Sequence, residues 1–486
     1  MKDILLVNFN AKYEHASLGM RCLYANLGVL KDRADMLEFI LDTRPEEALE
    51  AVLKYSPKIV GVGVYIWNSE LSVKFAAELK RLRPDILLVA GGPEVCYETE
   101  KQPFYGLADY IIIGEGEDSF RILCEKLLRG KKPPEKLIFS EKPDLAETVL
   151  PYDFYSDEDL KNRVVYVESS RGCPFGCEFC LSSLDKKIRF YPLDKLFEAW
   201  QKLLDRGLLR FKFTDRTFNA DMKRAEAILG FFLERYTDGM FLHFEIVPDR
   251  MPEVLFALLK KFPKGSVQLE AGLQTFNPET ALLISRRQDN DLAEKNIRRL
   301  LSETQVYLHT DLVAGLPGEN VGSFASGFDR LYAMGPQEIQ VGILKRLRGA
   351  PICRHTEKFE MVYSPFPPYE IRRNRDISFE EMRALKRFSR YWDLVSNSGV
   401  FPEASVLLCR GDSPFRSFMD FSEYIYSETR RTYAISRGCL QELIRIYLIQ
   451  NSGLPSAEVN AALERDAFNA VRAKKKKSPK RQALRG

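Results

Sequence analysis

Short runs of consecutive apolar residues recur along this chain and alternate with amphipathic stretches. Such a rhythm admits little other than parallel sheets buried on both faces by helices. In the first 130 residues the runs are Ile4–Val7, Met36–Ile40, Ile59–Tyr65, Ile86–Ala90 and Tyr110–Ile113. Helices are expected over Leu18–Leu30, Pro45–Tyr55, Glu70–Leu82 and Ser119–Leu128. This predicts a doubly wound parallel sheet, whose ligands lie at the carboxyl ends of the strands near the switch in strand order. A second series follows: Val164–Glu168, Arg210–Phe213, Phe241–Ile246, Ser266–Gln274, Val306–Val313 and Glu338–Leu344. Between these strands, helices are expected over Lys195–Leu204, with Asp194 as N-cap, and over Arg224–Arg235, Pro252–Phe262 and Leu292–Leu301. Six strands with helical crossovers predict a partial parallel (β/α)6 barrel, with functional groups at the carboxyl ends of its strands.

The remaining segments have other characters. Residues 131–163 carry Pro133, Pro134, Pro143, Pro151 and many charges, and read as a linker, with Leu150-Pro151-Tyr152-Asp153 docking it onto the barrel. Residues 375–471 are expected to be helical, over Phe379–Asn397, Pro414–Tyr426, Cys439–Ile449 and Ala457–Arg472. Phe388, Tyr391 and Trp392 share one face of the first of these, a packing surface for a helical cap on the barrel mouth. The expected units are thus 1–130, 131–163, 164–374, 375–471 and a basic tail, 472–486.

The tail holds eight of the 72 Lys and Arg residues and no acid, so the other 64 face 68 acids and the net charge of +4 belongs to the tail. A disordered solubilising tail is the expectation; contact with nucleic acid is the alternative. No apolar run reaches the roughly 18 residues of a membrane span, and the N-terminus does not read as a signal peptide. Of nine cysteines, six are scattered (Cys22, Cys96, Cys124, Cys353, Cys409, Cys439), which suits a reducing cytoplasm.

The other three cysteines form Arg171-Gly172-Cys173-Pro174-Phe175-Gly176-Cys177-Glu178-Phe179-Cys180. Three thiolates at this spacing can hold three irons of a four-iron cluster, leaving one iron open to chelate a small molecule. Gly172, Gly176 and Pro174 suit a loop bending around it. A zinc site with a distant histidine, or buried core thiols, would use the same residues, but zinc sites more often pair two separated two-residue hooks, and no second hook exists.

The spacing, with Phe179 before the last cysteine, resembles the signature of the radical S-adenosylmethionine (SAM) superfamily. That resemblance implies a [4Fe-4S] cluster on Cys173, Cys177 and Cys180, with SAM on the open iron. One electron then cleaves SAM to methionine and a 5′-deoxyadenosyl radical. An external donor such as flavodoxin or ferredoxin would supply the electron.

The strand ends of the first 130 residues carry Asn8–His15, Tyr65-Ile66-Trp67-Asn68, Gly91-Gly92-Pro93-Glu94 and Gly114-Glu115-Gly116-Glu117. The three spaced glycines of a dinucleotide fingerprint are absent after the first strand, which argues against NAD. The order of these pieces resembles the cobalamin-binding, Rossmann-like domain that precedes many radical SAM enzymes. By that resemblance Gly91, Gly92, Pro93, Gly114, Glu115, Gly116 and Glu117 contact cobalamin. The motif that supplies an axial histidine is missing: Tyr13 stands where its aspartate would be, and His15 is expected to be a polar residue facing the cavity, with cobalt ligation the lesser alternative.

In the second half, Asp215-Arg216-Thr217-Phe218, His243-Phe244-Glu245, Leu269–Thr275, Ile284–Arg287 and Asp311–Glu319 resemble barrel stretches of oxygen-independent coproporphyrinogen oxidases and cobalamin-dependent relatives. The resemblance makes Glu245, Glu270 and Arg286 candidates to bind SAM. Carboxylates suit ribose hydroxyls or an ammonium, and a guanidinium suits a carboxylate, although ion pairs between strand ends would use the same residues. Leu344–Pro351 closes the barrel in the same relatives. Cys353, shortly after, is expected to be a buried thiol, with a substrate-facing thiol or a cluster ligand as the alternatives. The helical C-terminal region resembles a poorly characterised domain of some cobalamin-type radical SAM proteins.

The reading that results is a cobalamin-dependent radical SAM enzyme, methylating an unactivated carbon of an unknown substrate through methylcobalamin. The resemblance also admits radical rearrangement or cyclisation. Methylthio transfer would need a second cluster on Cys22, Cys96 and Cys124, two of which fall in expected helices. A non-enzymatic cobalamin or redox sensor is the rival outside enzymes.

Overall fold

The computed structural model describes residues 2–477. The five apolar runs of the first 130 residues form β1 (Ile4–Asn10), β2 (Ala34–Ile40), β3 (Ile59–Gly63), β4 (Leu87–Gly91) and β5 (Tyr110–Ile113). They pair in parallel in the order β2-β1-β3-β4-β5. Every residue of β1 is buried, because alternate side chains enter opposite cores. Leu5, Val7 and Phe9 join one apolar cluster, and Ile4 and Leu6 the other. The strand order reverses between β1 and β3, which opens a crevice at their carboxyl ends. The helix expected over Leu18–Leu30 is broken: Leu18–Ala25 is α-helical, capped by Ser17, and Gly28–Arg33 is a tighter 3-10 turn.

The segment read as a linker is largely built into the molecule. Leu137–Phe139 forms β6, pairing with β5 at the sheet edge. Tyr152 and Tyr155 are buried beneath the second sheet, the Tyr152 hydroxyl donating to Glu168 O at 3.2 Å. Ser156 caps a short helix, Asp157–Asn162, through a capping box with Asp159. Prolines and charges dominate this stretch, but Leu145, Tyr152 and Tyr155 are buried and Leu150 and Leu160 pack against the same core, while Val149 and Phe139 stay exposed.

The second sheet comprises β7 (Val165–Val167), β8 (Arg210–Phe213), β9 (Phe241–Ile246), β10 (Val267–Gln274), β11 (Tyr307–Ala314) and β12 (Glu338–Ile343). All six are parallel, in the order β12-β11-β10-β9-β8-β7, as a partial barrel requires. Burial alternates strictly along β10, so Glu270, Gly272 and Gln274 share the face opposite the core. Before β8, the Leu193–Asp205 helix begins after Pro192, so Asp194 sits in its first turn and is not the cap.

The C-terminal region is helical: Phe379–Trp392, Pro402–Leu408, Pro414–Thr429, Arg437–Ile446 and Ser456–Lys477. Phe388, Tyr391 and Trp392 are all buried, and the Phe388 ring meets Phe328 of the Val321–Tyr332 helix at 5.2 Å. The region flanks the barrel instead of capping its mouth. β12 is an edge strand, and its unpaired backbone groups need partners. Ser389 Oγ donates to Val341 O at 2.6 Å, while Asn397 donates to Ile339 O at 2.9 Å and accepts from Ile339 N at 3.2 Å. Residues 478–486 of the basic tail lie outside the described residues. No helix among those described is long and apolar enough to cross a membrane.

Candidate functional site

The cysteine loop leaves β7 through Gly172, whose φ of +95° and surroundings exclude a side chain: an added Cβ would lie 2.6 Å from Lys187 O. Gly176 is not in the left-handed region, so only the first glycine of the loop is conformationally required. Cys173 N donates to Asp185 O at 2.8 Å and Cys180 N to Cys177 O at 3.0 Å. Cys173, Cys177 and Cys180 line one pocket of about 170 Å³ together with Glu245, Glu270 and Arg286. All six residues singled out from the sequence for this half of the molecule therefore meet. The pocket takes no residue beyond Asp311, so the C-terminal helices do not wall it.

The chemistry of the donor set fits an iron–sulfur cluster better than one ion. Thiolates around a single zinc would sit about 3.8 Å apart, from Zn–S bonds near 2.3 Å in a tetrahedron. Among the described residues, only Glu270, His309 and Asp311 bring three ligand atoms within 4.8 Å of one another; the cysteines do not. Those three form an ion-pair network instead. Nε2 of His309 lies 3.1 Å from Asp311 and Nδ1 lies 3.4 Å from Glu338, so both nitrogens face carboxylates. Burial disfavours the His309 charge, but the Asp311 hydrogen bond and the surrounding carboxylates outweigh it and carry its pKa to about 9.

The pocket's carboxylates differ. Burial pushes Glu245 up to about 7, with Arg216, 3.6 Å away, opposing. Burial also acts on Glu270, but the hydrogen bond from His243 at 3.1 Å and the His309 charge hold it below its ordinary value. Arg286 reaches Cys177 Sγ at 3.4 Å, donates to Gly272 O and to Gln288 at 2.6 Å, and leaves a buried Nε without a partner. Burial raises the Cys177 thiol pKa, and the Arg286 guanidinium counters part of that.

Glu178, inside the cysteine motif, was not singled out from the sequence. It is buried, accepts from Ser285 Oγ at 2.5 Å, from His355 Nε2 at 2.9 Å and from Arg354, and its own amide donates to Ile284 O at 3.1 Å. It ties the cysteine loop to the turn that carries Arg286 and to the segment after the barrel. A charged residue amid three cysteines was the available signal. Cys353, expected to be buried, is exposed, because the 3-10 turn Pro351–His355 directs Ile352 and His355 inward.

A second cavity, of about 440 Å³, opens at the carboxyl ends of β1, β3, β4 and β5. Gly91, Gly92, Gly114, Glu115, Gly116 and Glu117 line it; Pro93 does not. At Gly92, with φ of +105°, a Cβ would stand 2.5 Å from Val64 O. Asn8 Oδ1, on the cavity wall, is buried without a hydrogen-bond partner. A glycine-lined wall with an unmet acceptor fits a large ligand rich in amide donors. The carboxylates of Glu115 and Glu117 are already engaged by Arg171, each at 2.7 Å, and Arg171 also holds Glu168 at 2.7 Å. Their charges serve the junction with the barrel. His15 does not line the cavity: its Nδ1 meets the Tyr166 hydroxyl at 2.8 Å, where residue 15 bridges to Val164. Of Cys22, Cys96 and Cys124, only Cys22 lines the cavity.

The two cavities adjoin. Ser182 and Arg216 line both.

Comparison with known proteins matches three stretches of the chain. Residues 4–124 match the model of the B12 binding domain, residues 167–330 that of the radical SAM superfamily, and residues 357–483 that of a protein of unknown function, DUF4080. An uncharacterized methyltransferase of Pyrococcus horikoshii is 29% identical over 36% of this chain and 43% of its own length. The 2-(S-pantetheinyl)-carbapenam-3-carboxylate methyltransferase of Streptantibioticus cattleyicolor is 24% identical over 61% of this chain and 48% of its own. The chain thus spans about half or less of these relatives. The solved structure of the radical SAM methyltransferase TsrM from Kitasatospora setae, with cobalamin and a [4Fe-4S] cluster bound, aligns over 75% of this chain and 76% of its own at a TM-score of 0.57 and 17% identity. That likeness is one of fold.

Proposed function

Because this chain joins a cobalamin-binding domain to a radical SAM domain, we propose that it is a cobalamin-dependent radical SAM enzyme that methylates an unactivated carbon. The observation that carries this reading is the wall shared by the two cavities, Ser182 and Arg216, because methylation at carbon needs a radical source and a methyl donor side by side. When bound, the cluster supplies the electron that cleaves SAM to a 5′-deoxyadenosyl radical, and cobalamin supplies the methyl group.

In this reading Cys173, Cys177 and Cys180 hold the cluster. Arg286 takes the SAM carboxylate, a pairing that its unpartnered Nε favours. Glu270, ionised because His243 and His309 face it, takes a positive or hydroxyl group of SAM. Glu245 ionises only near pH 7, so its grip on such a group strengthens as pH rises through that value. Gly91, Gly92, Gly114 and Gly116 let backbone approach the corrin and its tail, and Asn8 accepts from an amide. The domain's one histidine, His15, is held by Tyr166 and supplies no cobalt ligand. The work of the protein is to bind, orient and exclude water. The electron comes from an external donor, flavodoxin or ferredoxin, in the cytoplasm.

Anaerobic reconstitution with iron, sulfide and hydroxocobalamin tests this. The expected result is about four irons and one cobalt per chain, with 5′-deoxyadenosine and S-adenosylhomocysteine released once SAM and dithionite are added. Roughly eight irons without cobalt would contradict it and point to methylthio transfer.

A further inference from the structure

A third pocket, of about 560 Å³, lies where the Phe379–Trp392 helix covers the free edge of β12. Lys345, Arg383, Lys386, Arg387 and Arg390 line it, against two carboxylates, Glu370 and Asp393. Glu370 is taken by Lys386. Arg387 is held bidentately by Glu423, at 2.8 and 2.7 Å, and Arg390 Nε donates to Thr432 O at 3.1 Å. Asp393 accepts from Asn397 at 2.8 Å. Among the described residues no carboxylate pairs with Lys345 or Arg383. The pocket therefore carries a surplus of positive charge that its own walls do not meet, on a rigid frame of one strand and one helix.

Its position relates it to the site above. Gln340, on its wall, is the register partner of Asp311, which lines the cysteine pocket. Paired residues of adjacent parallel strands stand about 4.8 Å apart and point to the same face. The two pockets thus reach neighbouring strands at the open edge of the barrel, although no residue lines both. A ligand anchored at Lys345 and Arg383 can extend over Gln340 toward the cysteines.

We infer that this pocket binds the oxyanion-bearing end, phosphate or carboxylate, of the substrate whose other end enters the cysteine pocket. Arginine forks and lysine ammonium groups are the donors that such groups select. The assignment of the oxyanion to a substrate rests on the enzyme reading; the site itself does not.

The test is calorimetric titration of the full chain with inorganic pyrophosphate and, separately, citrate. At least one polyanion is expected to bind, and which one does tells phosphate from carboxylate recognition. Lys345→Gln with Arg383→Gln should weaken binding roughly tenfold or more. A variant with Lys474, Lys475, Lys476 and Lys477 changed to Gln should bind as before. Absence of binding by either anion, unchanged affinity in the pocket variant, or loss only in the tail variant would overturn the site. Should the pocket variant melt early, Lys345→Arg with Arg383→Lys decides: retained binding supports the site and lost binding refutes it. Failure of the wild-type chain to cleave SAM would remove the enzyme reading and leave the anion site to the titration alone.

Discussion

The two parallel sheets have the same number of strands, yet they build their cavities from different material. At the N-terminal sheet the wall is mostly backbone and apolar side chain, with Gly61, Gly63, Gly91, Gly92, Gly114 and Gly116 in it. In the partial barrel the wall is charged, with Glu245, Glu270, Arg286 and Asp311 around the cysteines. A backbone wall accepts a large ligand by close approach, whereas a charged wall orients a small polar one. The difference shows how one fold principle, ligands at the carboxyl ends of parallel strands, serves two tasks in one chain.

The largest effect that separates the two walls is expected from Cys177→Ala. Iron should fall from about four per chain to nearly none, with cobalamin retention unchanged. Loss of both together would mean that the cavities are not independent. Gly92→Ala reverses the test: the new Cβ meets Val64 O and the backbone is strained, so we expect about 3 kcal/mol lost in denaturant unfolding and reduced cobalamin retention, with iron unaffected.

Glu319, at the mouth of the barrel, sharpens the electrostatic side. Burial raises its pKa to about 7 against a hydrogen bond from Thr275 at 2.5 Å, and its Oε2 has no partner. Between about pH 4.5 and 7 the folded state holds a proton that the unfolded state releases, so stability declines as pH rises, by about 3 kcal/mol at most. Glu319→Gln should flatten that part of the stability profile; an unchanged slope would count against it. The smallest effect belongs to the shared wall. Arg216→Gln removes a partly exposed pair with Glu245, and should cost under about 1 kcal/mol while moving the pH at which Glu245 ionises further up. Titration of SAM binding against pH would show the shift.

β1, β3 and β4 were legible because they bury both faces and so read as continuous apolar runs, whereas in the barrel β10 buries only alternate residues. Leu137–Phe139 escaped that reading, being three residues long among lysines and prolines, with Phe139 exposed at the edge. The Val321–Tyr332 helix also escaped a separate reading. Gly322 and Gly327 weaken its local signal, and its existence rests on burial of Phe324, Phe328 and Leu331. Within the site, the cysteines announced themselves by short-range spacing, and motif resemblance named Glu245, Glu270 and Arg286. The pairing of Glu178 with His355 joins residues 177 positions apart and leaves no local trace. The placement of the C-terminal helices beside β12, not over the mouth, depends on which strand is left at the edge, and that is a property of the assembled sheet alone.

The two cavities adjoin across Ser182 and Arg216, and electron paramagnetic resonance of the reconstituted chain tests that adjacency. With cobalamin as cob(II)alamin and the cluster reduced by one electron, the cobalt signal should be broadened and fast-relaxing through coupling to the cluster, and restored to its isolated form in Cys177→Ala. A cobalt signal identical in the two proteins, with both groups bound in the wild type, would contradict it.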